Sequence, residues 1–69
     1  MKTLTQELME YGVNAQKIKR ILSVLHAGKT VRDAGNYQID SIFVNDEGMA
    51  EIITIDDNGN EDSIYRELN

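Results

Sequence analysis

From Thr3 onward the apolar residues recur at helical spacing, with Leu4, Leu8 and Tyr11 at i, i+4 and i+7 on one face. Thr3 with Gln6 three positions later is a capping-box pattern, so a helix is predicted to start there. Gly12 supplies a left-handed stop that folds Val13 back towards Leu8. Asn14 is a good N-cap for a second helix running to about His26, with Ile18, Ile21, Leu22 and Leu25 as its apolar stripe and Gly28 as its end. From Tyr37 the pattern changes. Three runs rich in β-branched and aromatic residues, roughly 37–45, 49–57 and 60–68, are punctuated by Asp46-Glu47-Gly48 and Asn58-Gly59. The second punctuation reads as a two-residue type I′ hairpin, and the first as a slightly longer loop with Gly48 left-handed.

These turns set a register. With Asn58-Gly59 as the whole loop, Asp57 lies opposite Asn60, Ile53 opposite Ile64, Glu51 opposite Arg66 and Met49 opposite Leu68. Across the first turn Asn45 lies opposite Met49. One face then gathers Tyr37, Ile39, Phe43, Met49, Ile53, Ile55, Ile64 and Leu68 and is predicted to be the core face. The other carries Ile42, Val44, Ala50, Ile52 and Tyr65, bordered by Asp40, Asp56, Glu61 and Glu67. A slip of one residue exchanges the two sets.

Two amphipathic helices joined by a short turn cannot cover their stripes alone, so they are expected to pack across the core face of the meander. The predicted fold is α+β, ααβββ in order, a single domain over 1–69 with a helical hairpin at 3–27 and an antiparallel sheet at 37–68. The segment 29–36 has two readings: a short helical turn capped by Thr30 and Asp33, or an extra edge strand around Val31 that curls the sheet towards a small SH3-like barrel.

Composition narrows the chemistry. A chain of 69 residues buries only about 60% of its unfolded surface, so its core leaves little stability in reserve. The absence of cysteine excludes disulfides and thiolate zinc sites. With no apolar run of membrane-spanning length and no signal-like segment, the expected location is cytoplasmic. The net charge of −5 conceals an asymmetry: residues 1–35 sum to +3 and residues 36–69 to −8, with Arg66 the sole cation of the second half. A basic helical end and an acidic sheet are thereby predicted, the sheet repelling nucleic acid and attracting basic protein surfaces.

Three constellations invite chemistry and none completes it. Residues 21–34 resemble the helix, Gly turn and capped second helix of resolvase-type DNA readers, but beyond Ala34 the chain enters a strand pattern, leaving Arg32 as the only contact such a helix could offer. Asp56, Asn58, Asn60, Asp62 and Glu67 mimic the ligand spacing of an EF-hand calcium loop, yet Glu61 stands where the sharp turn wants Gly. His26 falls at a helix C-terminus, where the dipole favours an imidazolium without catalysis, and Ser23, Ser41 and Ser63 lack an identifiable base. No catalytic residue, metal ligand or cofactor is assigned.

The strip of Ile42, Val44, Ile52 and Tyr65 within the rim of Asp40, Asp56, Glu61 and Glu67 has the anatomy of a protein interface. The expected function is therefore a non-enzymatic protein-binding module whose carboxylates stand where phosphates would lie on a basic, nucleic-acid-handling partner. In size and charge alone such a chain looks like phage or mobile-element inhibitors of host proteins. Two alternatives remain at this level: a nucleic-acid-binding regulator using Lys17, Lys19, Arg20, Lys29 and Arg32, dimeric through the sheet, and a self-assembling structural component.

Overall fold

A computed structural model describes residues 2–69. Helix α1 spans Leu4–Glu10 and helix α2 spans Ala15–His26. Strands β1 (Ile39–Val44), β2 (Ala50–Ile55) and β3 (Glu61–Arg66) follow, giving the ααβββ order of an α+β domain. The sheet is open, antiparallel and ordered β1-β2-β3.

The helix ends follow their local signals. Thr3 Oγ1 accepts from the Gln6 N–H while Gln6 Oε1 accepts from the Thr3 N–H, completing the capping box. Past α1, the Val13 N–H donates to the Leu8 carbonyl and the Gly12 N–H to that of Met9, the paired bonds of a Schellman turn. Asn14 Oδ1 accepts from the Lys17 N–H and starts α2. The segment 29–38 forms no helix, so the resolvase-like reading of 21–34 does not hold. Val31 instead exchanges both backbone hydrogen bonds with Ile42, a single bridge on the outer side of β1 that does not close a barrel.

The sheet differs from the sequence reading in one register, and that difference inverts a face. Both turns are three-residue loops: Asn45 N–H donates to the Met49 carbonyl and Gly48 N–H to Asn45, and Asp56 N–H donates to Asn60 and Gly59 N–H to Asp56. Gly48 and Gly59 take φ of +78° and +81°, whereas no described non-glycine residue has positive φ, which excludes a type I′ turn at Asn58-Gly59. Ile64 therefore lies opposite Ile52 rather than Ile53, and Arg66 opposite Ala50 rather than Glu51. A bulge at Asp40 adds a second shift, which brings Ile39 to the same face as Ile42.

The helices consequently cover the row Ile42–Ile52–Ile64 and the row Val44–Ala50–Arg66. Ile42 and Ile52, predicted to be exposed docking residues, are 0% accessible and lie in the core with Leu4, Leu8, Ile21 and Leu25. Val44, predicted beside them, packs half-buried against the same cluster. Ile39, Ile64 and Leu68 do belong to that core or pack on it, as predicted. Phe43, Ile53 and Ile55 lie half-buried on the opposite face, and Tyr37 is 81% exposed.

The two ends of the fold are tied together. Thr3 bridges Glu67 in parallel, with the Leu4 N–H donating to the Glu67 carbonyl and both the N–H and Oγ1 of Thr5 donating to that of Asn69. Arg66 Nε reaches from β3 to Glu7 Oε1 on α1 at 2.8 Å, and Glu7 is 6% exposed.

Candidate docking face

The helices lie on one side of the sheet; on the other, Ser41 is buried and the remaining outward side chains are half-buried or exposed. Cross-strand pairing places Phe43, Glu51 and Tyr65 in one row and Ser41, Ile53 and Ser63 in the next, followed by Ile55 beside Glu61. Directly opposed residues on a sheet have Cβ atoms about 4.5–5.5 Å apart, so the Glu51 carboxylate rises between two aromatic side chains. Asn45 Nδ2 and Ser63 Oγ each approach it at 3.4 Å from opposite sides, long bonds that orient the group and leave it able to accept from a stronger donor. Tyr65 is 49% exposed, and Phe43, Ile53 and Ile55 are half-buried.

The surrounding charge is one-sided. Arg66, the one cation among residues 36–69, points to the inner face and is held by Glu7. Asp46, Glu47 and Asp57 lie exposed in the loops at the two ends of the sheet, and Glu61 and Asp62 on β3. A cation brought to this face meets carboxylates and no competing positive side chain from the sheet.

Of the eight residues predicted to bind a partner, Tyr65 and Glu61 lie on this face, and Asp40 is exposed at the bulge. Ile42, Val44 and Ile52 belong to the interior side. Glu67 is exposed just past β3, where its backbone carries the bridge to Thr3. Asp56 is occupied by its own turn: Oδ1 accepts from the N–H groups of Asn58 and Asn60 at 2.9 Å each, and Asn60 Nδ2 approaches Oδ2 at 3.3 Å. These bonds, the Asn60 N–H foremost, hold its carboxyl below the ordinary value of 3.8. The same side chain that suggested a calcium ligand is thus a turn cap. Among the described residues, no group of three His, Cys, Asp or Glu is placed to hold a metal ion.

Sequence reasoning missed Phe43, Glu51 and Ile53. The signal was present: Asn45-x-x-Gly48 and Asp56-x-x-Gly59 are the same turn, each with an Asx oxygen accepting from the second loop residue and from the residue after the glycine. Giving both turns one length puts these three side chains outside.

The basic residues are dispersed over the other half. Lys17 pairs with Asp33 at 3.6 Å and Lys2 with Glu10 at 2.9 Å, while Arg20 and Arg32 border one depression beside Val24 and Val31. His26 Nδ1 is hydrogen-bonded to the Leu22 carbonyl at 2.8 Å. The helical layer also has an apolar cleft of about 410 Å³ lined by Met9, Val13, Ile18 and Leu22. No described helix is long and apolar enough to cross a membrane. Comparison with protein families, curated proteins and solved structures finds no match to this chain.

Proposed function

We propose that this protein is a non-catalytic binding module that docks the sheet face opposite its helices onto a basic surface of a partner protein. The observation that carries the reading is the row Phe43–Glu51–Tyr65, a carboxylate set between two aromatic residues on a sheet face that bears no cation among the described residues. An Arg or Lys side chain of the partner fits such a row twice over: its charge meets Glu51, and its stem or guanidinium plane lies against the rings. The acidic loops at both ends of the sheet steer the encounter, and they compete for the Arg and Lys groups that would otherwise hold a phosphate backbone. A surface that handles nucleic acid is therefore the kind of partner proposed, and its blockage the consequence.

The test is an affinity pull-down from lysate at low and high salt, followed by mass spectrometry, with wild type, Glu51→Gln and Tyr65→Ala in parallel. Basic proteins captured by wild type should be lost at high salt and retained about tenfold less by either variant, since both substitutions leave the helix-facing core untouched. Capture indifferent to both substitutions would remove the reading. A salt-sensitive gel shift of DNA or RNA by the free protein would overturn the reading in favour of nucleic-acid binding through Arg20 and Arg32.

A further inference from the structure

β3 is an edge strand with no described strand paired along its outer side from Glu61 to Arg66, and the hydrogen-bond alternation identifies which backbone groups it offers. Asp56 and Asn60 are a hydrogen-bonded pair, so the bonded pairs continue at Thr54 with Asp62, Ile52 with Ile64 and Ala50 with Arg66. The same alternation sends Ile42 outward from β1, where it is found bonded to Val31. Glu61, Ser63 and Tyr65 therefore point their N–H and C=O groups away from β2. The chain itself takes two carbonyls at the far end: Arg66 Nη1 donates to that of Tyr65 and the Leu4 N–H to that of Glu67. Among the described residues, none bonds to the N–H groups of Glu61, Ser63 and Tyr65 or to the carbonyls of Glu61 and Ser63.

We infer that the β3 edge receives an extended, lysine- or arginine-rich segment of the partner as a fourth antiparallel strand. The inference rests on the binding reading above and specifies how the partner is held. Unpaired edges generally invite another strand, and charge decides which one. Glu61 and Asp62 are exposed on the edge strand itself and Asp57 in the turn that leads into it. A second copy of this chain, of net charge −5, would bring two more carboxylates to the same short stretch while its Arg66 stays bound to Glu7. Self-pairing is repelled and a cationic strand is attracted. Lysines opposite Glu61 and Asp62, with small or apolar residues opposite Ser63, Ile64 and Tyr65, match the edge position by position.

The probe is a blocked peptide with the core Val-Val-Thr-Lys-Lys, titrated into isotope-labelled protein beside a version N-methylated at alternate residues. Methylation keeps every side chain and charge but removes the strand's ability to bond. Binding of the first peptide should slow hydrogen exchange at the Glu61, Ser63 and Tyr65 amides by at least tenfold, with no binding of the second. Ser63→Pro, which deletes an outward N–H and leaves the bonded pairs with β2 intact, should abolish binding, while Ser63→Ala retains it. Equal binding of both peptides, or unprotected edge amides, overturns the edge inference and leaves the docking face standing. No binding of either peptide also overturns it, and if the lysate capture fails as well the binding reading falls with it.

Discussion

Glu7 is the one carboxylate the described fold takes inside, and its burial is tolerable because Arg66 Nε lies 2.8 Å away with the Lys2 ammonium at 3.5 Å. Removing one partner of such a pair strands the other. Arg66→Ala is expected to cost about 2 kcal/mol in chemical denaturation, discounted from a fully buried pair because the Arg66 side chain is 28% exposed. Asp56 belongs to the same scale with a different signature. Its carboxyl is held below 3.8, so its contribution to stability is present above that value and is lost as pH falls through the lower folded value. Asp56→Asn keeps an accepting oxygen, the arrangement Asn45 already uses in the first turn, but does not titrate. Melting curves from neutral pH to pH 2 should show wild type losing stability in acid more steeply than Asp56→Asn.

Among the elements, the helices were legible because their cues are local: a capping box, an Asn cap and two Gly stops lie within a few residues of what they control. The strands were legible as strands. The pairing of β1 with β2 was legible up to the bulge, from Asn45 opposite Met49, whereas that of β2 with β3 was not, because register depends on turn length and Asn58-Gly59 read alone favours a two-residue loop. The bulge at Asp40 leaves no mark in composition, and Arg66, the lone cation of the acidic half, looks inward at Glu7 on the same side of β3 as Ile64. Adjacent isoleucines report the outcome. Ile52→Ala should cost about 2–5 kcal/mol and Ile53→Ala less than about 1.5, since the first empties the core and the second trims a half-exposed face. The opposite order would restore the two-residue turn. A Cβ at Gly59 meets nothing within 4 Å, so Gly59→Val should lose about 1–3 kcal/mol from backbone strain alone, read as a lower denaturation midpoint.

At the scale of the whole molecule, a 69-residue domain has about 3–10 kcal/mol of net stability, and few contacts connect its two layers beyond the shared core. The Leu4 and Thr5 bonds to the Glu67 and Asn69 carbonyls therefore matter out of proportion to their number. Deleting 67–69 removes the three hydrogen bonds from Leu4 and Thr5 and the packing of Leu68, and the melting temperature should fall by on the order of 15 °C or more. The candidate site divides along the same lines. The lopsided charge could be read from composition, whereas which apolar strip lies outside depended on a single residue of register.

Because Thr3 lies against Glu67, the backbone is nearly a ring. A short flexible bridge from Asn69 to Lys2, with a fresh opening cut at Glu47 in the exposed first hairpin loop, would permute the order of the elements while keeping every strand neighbour. It also means that labels attached at Lys2 and at Glu67 emerge from the same corner of the molecule.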